Sequence, residues 1–395
     1  MSDFIHDVRM NPSPAWNPPP VTDPIRIAQI GLRGLVAPQH VAELQKNPNF
    51  RLVAAFDRRA GESELAPQIA PITSRGGKVY GDYHELLTDA NVEAVCIAAP
   101  HHLHRQMSLE AFSSGKHVLV EKPMAVHPED CRAMIESAAA VKKIGAVQMQ
   151  HAGRSSMLML RDKLRAGAIG KIRQVKVASL WSRDEKYYAR SAWAGRKMIG
   201  PAWNLDGVMF NQACHHIAQA MILASSEEWP IPAPLDDIRA KLYRFHEAPT
   251  LEMEDTAFVT ATVAGDQARF TLAATTCNAV DQVEIELIGE KGRATWDGAG
   301  KGIGRLFIQG QSVEEFNDDR GIFTGDSRVF NSFAAAIRTG VKPITDFAAV
   351  ARLTDAIFAC YQQADWKISK VPWSATRSLP QKIEQFLQTG EMPDF

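Results

Sequence analysis

The chain has 395 residues, of which 44 are basic and 45 are acidic, and 45% of its residues are hydrophobic. This length suits two domains with well-filled cores, and the balanced charge indicates neither a nucleic-acid groove nor an anionic membrane as a partner. The five cysteines are scattered singly without CxxC spacing, so we expect no disulfide framework, no zinc site and a cytoplasmic protein.

Residues 1–24 are rich in proline, with acidic residues near the start and no apolar run. This pattern is the opposite of a signal peptide. It predicts a proline-rich, extended N-terminal arm, which is either disordered or lies along a neighbouring subunit.

The first predicted strand leads into a glycine turn and then a helix, an arrangement that cradles a pyrophosphate on backbone amides. In strict GxGxxG register after Gly31, Arg33 and Val36 replace the second and third glycines. With one residue inserted, Gly34 and Ala37 take those places. We favour this second register because it keeps the spacing and alanine is tolerated where a helix packs on a strand.

Asp57 follows the second predicted strand, about 20 residues beyond the glycine turn. An acid at this position can accept the ribose hydroxyls of NAD and repels a 2′-phosphate. The neighbouring Arg58 and Arg59 could instead grip that phosphate. We therefore expect NAD as the cofactor, with NADP as the alternative. Asp57 could also be an ordinary turn residue that follows a strand and binds no cofactor.

Strands and helices alternate through this half of the chain, and this rhythm predicts a doubly wound parallel sheet over residues 25–150. Three histidines, at positions 101, 102 and 104, follow one predicted strand. We expect no metal there because no carboxylate or cysteine is spaced to complete a ligand set.

The apolar run Val118–Val120 is typical of a strand that is buried on both faces, and it ends abruptly in Glu121, Lys122 and Pro123. Open α/β sheets bind ligands at the carboxyl edges of such strands. Because Pro123 fixes the local backbone, Lys122 is predicted to lie over the crevice. The alternative is that the charged pair begins a solvated loop.

Together, Gly31, Asp57, the turn Ala99-Pro100-x-x-Leu103-His104 and Glu121-Lys122-Pro123 resemble the Gfo/Idh/MocA family of glucose-fructose oxidoreductases and inositol dehydrogenases. The resemblance implies a Rossmann domain followed by an α+β domain with a large open, mainly antiparallel sheet at residues 151–395. It also implies that Lys122 touches substrate and cofactor, and that the Lys122–Pro123 bond is cis. The candidate cofactor-binding residues are Gly31, Arg33, Gly34, Leu35, Asp57, Arg58, Pro100, His104, Glu121 and Lys122.

The second half shows alternating apolar and polar residues, clearest at 268–272 and 283–287, as in an antiparallel sheet with one packed face. The other face of this sheet would be exposed to solvent or packed against a second subunit. The resemblance implies a homo-oligomer, a dimer or tetramer, formed through this sheet. Two helices near 328–339 and 346–362 are predicted to be packing elements.

A predicted helix carries Asn211 and His215, one turn apart and hence on the same face. In the related dehydrogenases a helix carries Asp-x-x-x-His, and the histidine accepts the hydroxyl proton, a task that suits its pKa. The resemblance implies this role for His215 and a substrate contact for Asn211. However, Asn211 replaces the acid and Ala218 replaces a later one. The alternative is a packed helix histidine.

Tyr188, Arg190 and Trp193 belong to a segment that resembles one in an uncharacterised branch of the same family. Aromatic faces with guanidinium donors suit a polyhydroxylated ligand, although Trp193 is explained nearly as well by packing. We therefore expect substrate contacts from Lys122, Tyr188, Arg190, Trp193, Asn211 and His215.

The resemblance implies an NAD(P)-dependent oxidoreductase that acts on a secondary hydroxyl of a sugar, sugar acid or cyclitol, with Lys122 and His215 as catalytic residues. One alternative is an NAD-dependent glycoside hydrolase. The other is a non-catalytic sensor of dinucleotide or sugar.

Overall fold

The computed structural model describes residue 18 and residues 20–34, 36–227, 231–265, 267–298, 302–318 and 324–395. Most of the predicted N-terminal arm lies outside this range. The described chain contains two large sheets. The first is parallel, with the order β3-β2-β1-β4-β5-β6. Its strands are β1 (Ile25–Ile30), β2 (Phe50–Phe56), β3 (Lys78–Tyr80), β4 (Ala94–Ile97), β5 (His117–Glu121) and β6 (Gly145–Gln148).

The central strands of this sheet are buried because their side chains are apolar on both faces. Val118, Leu119 and Val120 of β5 are each 0% exposed. The strand order reverses between β1 and β4, and such a switch point opens a crevice at the carboxyl edge. This edge carries the glycine turn, Asp57 and Lys122. The predicted doubly wound sheet is therefore confirmed.

Helices cover both faces of the first sheet. The helix α9 comes from late in the chain, but its Val329, Phe330 and Phe333 pack in one cluster with Ile27 and Leu119 of the first sheet. The two halves of the sequence thus share this helix. The helices before the second sheet are α1 (Ala37–Lys46), α2 (Ala66–Thr73), α3 (Tyr83–Thr88), α4 (His104–Ser113), α5 (Pro128–Ala140) and α6 (Ser155–Arg165); later ones are α7 (Glu185–Tyr188), α8 (Cys214–Leu223), α9 (Thr324–Thr339), α10 (Phe347–Gln363) and α11 (Leu379–Thr389).

The second sheet has nine strands in the order β16-β15-β14-β13-β7-β12-β11-β10-β17. It is mainly antiparallel, as expected, but β12 pairs with β7 and β10 with β17 in parallel. A two-stranded hairpin, β8 (Met198–Ile199) and β9 (Ala202–Trp203), stands apart. The large sheet comprises β7 (Ile172–Ser182), β10 (Leu235–Arg244), β11 (Thr256–Val263), β12 (Ala268–Thr275), β13 (Cys277–Gly289), β14 (Gly292–Asp297), β15 (Ile303–Ile308), β16 (Gln311–Asn317) and β17 (Ile368–Lys370).

One face of the second sheet, here called the outer face, is divided in two. Over β7, β12, β11 and β10 it is apolar and is covered by α11, whose Leu379, Ile383 and Phe386 pack in a cluster with Ala178 and Phe258. Over β13 to β16 the outward side chains are largely charged and paired across strands. The predicted open sheet is thus half covered by its own chain. No described helix is long and apolar enough to cross a bilayer.

Candidate active site

The glycine turn forms a narrow cradle at the end of β1. Gly31 has φ +82°, and a Cβ there would lie 2.4 Å from the carbonyl oxygen of Ala98, so only glycine fits. Gly34 has φ +90° and open space where a Cβ would be. The N-cap residue Val36 makes no side-chain capping bond to the described residues, which leaves the first amides of α1 open to an anion. Pro100 precedes a short 3₁₀ turn after β4, and Leu35 lies outside the described residues.

Asp57 is buried at the end of β2 and faces the glycine turn. Its Oδ2 accepts a hydrogen bond of 3.1 Å from the backbone N–H of Leu32, and the Nε of Arg33 lies 3.5 Å from the same oxygen. Arg58 is exposed and makes no side-chain bond within the described part of the chain. The glycine cradle, free helix amides and acid fit a dinucleotide with an unsubstituted ribose.

Lys122 reaches from the first sheet to the second domain. Its bond to Pro123 is cis, as predicted. Its Nζ donates a hydrogen bond of 2.7 Å to the backbone carbonyl of Asn211. That carbonyl lies in the π-helical turn Met209–Ala213, which precedes α8. Such wide turns interrupt the regular helical bonding and are frequent at functional sites.

Two side chains that were predicted to bind the cofactor bond to other groups of the protein instead. Glu121 is buried, and its Oε1 lies 2.9 Å from Nε2 of His40. His104 is 0% exposed, and its ring nitrogens lie 2.7 and 2.8 Å from the carbonyl oxygens of Pro123 and Ala99. Both side chains therefore brace the backbone beneath the crevice, instead of projecting into it.

Asp206 links three parts of the substrate half. Its side chain is almost fully buried, and its Oδ2 accepts hydrogen bonds from Arg190 (3.0 Å) and from the backbone N–H of Gly195 (2.8 Å). Its Oδ1 accepts a 2.5 Å bond from Nδ2 of Asn211. A carboxylate therefore stands next to Asn211, although position 211 itself carries no acid.

Tyr187 completes this polar network. Its hydroxyl donates to Oδ1 of Asn211 at 3.3 Å and accepts a 2.9 Å bond from Nε2 of Gln212. The guanidinium of Arg190 lies 4.0 Å from the centre of the Tyr187 ring and 5.2 Å from that of Trp193. The predicted contacts Arg190, Trp193 and Asn211 are therefore brought together beside Lys122.

His215 faces a second buried histidine. Its ring stacks on His151 with centroids 4.5 Å apart, and its Nδ1 is buried without a partner in the described chain. Burial, together with the charges of nearby groups that include His151 and Lys122, holds the pKa of His215 well below its ordinary value. Burial likewise lowers the pKa of His151 to about 3. Both rings are therefore neutral at pH 7. His215 has a ring nitrogen free to take a proton, but its lowered pKa makes it a weaker base than an ordinary histidine.

Tyr188 is not part of the network. It is 3% exposed, its hydroxyl lies 2.7 Å from that of Thr276, and its ring packs with Ala248 and Leu251. The predicted substrate contact of Tyr188 does not fit this position. The adjacent Tyr187, not Tyr188, faces Asn211.

The two halves of the chain match family descriptions in turn. Residues 25–151 match "Oxidoreductase family, NAD-binding Rossmann fold", and residues 157–295 match "GFO/IDH/MocA C-terminal domain". The chain belongs to the Gfo/Idh/MocA oxidoreductase family. The resemblance inferred from the glycine turn and the Glu-Lys-Pro sequence is thereby confirmed, as is the expected dinucleotide-binding fold.

Curated relatives in this family resemble the chain over part of its length. A 1-carboxy-3-chloro-3,4-dihydroxycyclohexa-1,5-diene dehydrogenase of Comamonas testosteroni is 34% identical over 37% of this chain and 35% of its own. The D-glucoside 3-dehydrogenase of Escherichia coli is 27% identical over 47% of each chain. An inositol 2-dehydrogenase of Salmonella typhimurium is 33% identical over 26% of this chain and 30% of its own. The chain thus spans about a third to a half of the length of these three relatives.

Solved structures share the fold over most of the chain. An inositol dehydrogenase homologue from Azotobacter vinelandii complexed with NAD⁺ has a TM-score of 0.73 at 21% identity, covering 88% of this chain and 96% of that one. The WlbA dehydrogenase from Bordetella pertussis, in complex with NADH and UDP-GlcNAcA, has a TM-score of 0.71 at 21% identity, covering 87% and 97%.

Sequence analysis did not identify three residues of the candidate site. Asp206 precedes Gly207, and a Cβ at position 207 would lie 2.2 Å from a carboxylate oxygen of Glu254. An Asp-Gly pair before an apolar helix is therefore a sequence pattern that could have indicated this residue. His151 follows β6 at the same sheet edge as Lys122. Tyr187 has no signal that distinguishes it from its neighbour.

A separate buried cluster contains His246, Asp255 and Cys277, whose ligand-type atoms lie within 4.8 Å of one another. Both ring nitrogens of His246 are already within hydrogen-bond distance of partners, Asp255 at 2.9 Å and the carbonyl of Arg183 at 2.9 Å. Asp255 also accepts the backbone N–H of His246. We interpret this cluster as a structural hydrogen-bond network, and the absence of a metal cofactor stays a prediction.

Proposed function

We propose that the protein is an NAD-dependent oxidoreductase that transfers hydride between a secondary hydroxyl of a sugar, sugar acid or cyclitol and the nicotinamide. The observation that carries this proposal is the position of Lys122. Its ammonium group leaves the carboxyl edge of the dinucleotide sheet and ends 2.7 Å from the Asn211 carbonyl, inside the polar network. A substrate hydroxyl that replaced the Asn211 carbonyl as the partner of Lys122 would contact both the carboxyl edge of the dinucleotide sheet and the polar network.

The residues of this crevice divide the chemistry between them. A nicotinamide bound at the crevice would supply the hydride acceptor. Lys122 donates a hydrogen bond to the reacting oxygen and stabilises the negative charge that develops there. His215, kept neutral by burial, takes the hydroxyl proton. Each turnover thus moves two electrons and one proton from substrate to cofactor and releases the other proton.

The network supplies the contacts that a polyhydroxylated substrate needs. Arg190 and Asn211 offer N–H donors and Tyr187 offers a hydroxyl around the same space, while the buried Asp206 holds Arg190 and Asn211 in position. Trp193 adds an apolar surface beside Arg190. Such a mixture of donors, acceptors and one aromatic ring suits hydroxyl groups on a carbon ring.

The remaining expectations about the protein's surroundings are also part of this proposal. We infer a cytoplasmic protein, from the scattered cysteines. We also infer a homo-oligomer, which would use the charged part of the outer face because α11 covers the rest.

The test is a thermal-shift titration with NAD and NADP, followed by oxidation assays with sugars, sugar acids and cyclitols. A ligand that binds only the folded state raises the midpoint with the logarithm of its concentration. We expect a shift with NAD at concentrations at least about tenfold below those needed with NADP, because Asp57 repels a 2′-phosphate. Asp57→Ser should reduce this preference. Absence of turnover across the panel in the presence of NAD would contradict the proposed activity.

A further inference from the structure

Glu121 is an acid in an apolar layer. It shares a face of β5 with Leu119, which packs in one cluster with Cys96 of β4 and Phe330 of α9. Glu121 is only 7% exposed. Burial of a carboxylate costs free energy unless the protein supplies a partner for it. The proposed hydride transfer does not use this side chain, so its place directly before Lys122 requires another explanation.

His40 supplies that partner from the helix that follows the glycine turn. It is buried on the first turn of α1, and its ring reaches across β4 to β5. Nε2 lies 2.9 Å from Oε1 of Glu121, and Nδ1 lies 3.5 Å from Sγ of Cys96. Burial opposes protonation of the ring, but Cys96 and Glu121 outweigh it and raise the pKa of His40 well above its ordinary value. His40 and Glu121 therefore form a buried pair of opposite charge.

The second oxygen of Glu121 holds the backbone of Lys122. Oε2 accepts a hydrogen bond of 3.1 Å from the backbone N–H of Lys122, whose Nζ in turn bonds the Asn211 carbonyl. A continuous chain of contacts thus runs from α1, through His40 and Glu121, to the ammonium group. The first amides of α1 are also the groups that would hold the pyrophosphate of a dinucleotide. One helix therefore contacts both the cofactor position and the support of Lys122.

We propose that the His40–Glu121 pair is a positioning device that sets the place of the Lys122 ammonium relative to the bound cofactor. Both side chains of the pair are buried, so they act through Lys122 and do not touch the substrate. A displacement of about 1 Å at a reacting group is enough to cost about 100-fold in rate. The inference deepens the proposed function, on which it rests, because it assumes that Lys122 donates to the reacting oxygen.

The experiment separates positioning from stability by an apolar replacement of the whole pair. His40→Leu alone leaves a buried carboxylate without its partner, so it should lower the midpoint of thermal unfolding. His40→Leu combined with Glu121→Met removes both charges, and such a replacement of a buried ion pair is often neutral or stabilising. His117→Leu is the matched control, because His117 begins the same strand and its Nδ1 accepts the backbone N–H of Ile144 at the opposite sheet edge.

Two variants of His40 test the contact by its reach. The amide nitrogen of His40→Gln can take the place of Nε2 and donate to Glu121, whereas the shorter side chain of His40→Asn cannot reach that carboxylate. Both substitutions are polar and uncharged, so a difference between them reports the contact with Glu121. We expect His40→Gln to keep most of the wild-type kcat and His40→Asn to lose it.

Two readouts are taken from every protein. The first is kcat and KM with NAD and the best substrate of the panel. The second is the rate at which N-hydroxysuccinimidyl acetate acylates the partly exposed Lys122 without ligands, followed by mass analysis of the peptides. This second readout needs no substrate, so it tests the position of Lys122 whether or not the proposed activity is found.

In the doubly substituted protein we expect a midpoint of unfolding close to that of the wild type, but a kcat lower by about 100-fold. Its KM for NAD should stay within a few-fold of the wild-type value, and its Lys122 should be acylated several-fold faster. The control His117→Leu should keep the wild-type kcat and the wild-type acylation rate of Lys122, whatever it does to stability.

Three results would overturn the positioning role and leave the proposed function intact. They are wild-type kcat and Lys122 reactivity in the doubly substituted protein, equal kcat in His40→Gln and His40→Asn, and an equal loss of kcat in the control. Turnover of no compound by the wild type, together with no thermal shift by NAD, would overturn the proposed function itself. In that case an unchanged acylation rate of Lys122 in the doubly substituted protein would overturn the positioning role as well.

Discussion

The two walls of the crevice are built differently. On the dinucleotide side, the groups of interest follow the ends of buried strands, and backbone geometry positions them: Gly31 packs against a carbonyl, and Asp57 bonds a backbone amide. On the substrate side, side chains hold one another, through Asp206, Arg190 and Asn211. Topology alone thus fixes the first wall, whereas the second depends on a few charged and polar partners.

Lys122 joins the two walls, so its removal should have the largest effect. Lys122→Met removes the donor to the reacting oxygen but leaves the glycine turn and Asp57 unchanged. We expect kcat to fall by about 10³-fold or more, with NAD affinity within a few-fold of the wild-type value. Steady-state kinetics and a thermal-shift titration measure the two quantities. Lys143→Met, in the loop before β6 at the opposite sheet edge, is the control, and unchanged turnover in Lys122→Met would remove the central assignment.

Asp206→Asn tests whether the substrate wall depends on its charge. The asparagine can accept from Arg190, but its amide would face the amide of Asn211 and leave the guanidinium without a counter-charge. We expect kcat/KM for the substrate to fall about 100-fold while NAD affinity is retained. Asp236→Asn, at an exposed position on β10, should behave as the wild type. A parallel loss of NAD affinity would show that the two walls are not independent.

Glu254 gives the substrate wall a dependence on pH. It is fully buried beneath the π-helical turn, where its Oε1 accepts hydrogen bonds from the backbone of Met209 and from Tyr361. Burial raises the pKa of this carboxyl to about 7. Because the folded pKa is raised above the unfolded value, its contribution to stability is complete below about pH 4.5 and is lost as the pH rises through 7.

Glu254→Gln should therefore remove a pH dependence of about 3 kcal/mol at most in the free energy of unfolding. Relative to the wild type, the midpoint of thermal unfolding of the variant should rise by a few degrees between pH 5 and pH 8. Glu384→Gln, an exposed position on α11, should show no such trend. Parallel curves for the wild type and Glu254→Gln would mean that the acid is ionised in the folded protein throughout this range.

The dinucleotide wall could be predicted from sequence because its signals are local. Apolar runs identify the buried strands, and a group after such a run lies at the sheet edge whatever the rest of the chain does. The positions of Asp57 and Lys122 followed from this rule. The rule could not reveal that Glu121 and His104 turn inward, because their partners lie on other elements.

The substrate wall was harder because its contacts join distant segments. Helical spacing predicts that Asn211 shares a face with His215, but its bonded neighbour Asp206 lies in the preceding turn, outside the helix pattern. Tyr187 and Tyr188 are adjacent on one short helix, where successive side chains point about 100° apart. Without the tertiary structure, no local sequence feature indicates which of the two tyrosines faces Asn211.

The half-covered outer face has a consequence for behaviour in solution. Its uncovered strands pair Arg293 with Glu286 and Arg305 with Glu315 across neighbouring strands. Any contact between copies of the chain over these strands would be governed by ions in the solvent more than by apolar area, since exposed charge pairs are screened over about 8 Å at physiological ionic strength. Added salt would therefore weaken such a contact, whereas the packing of α11 on its apolar half would persist.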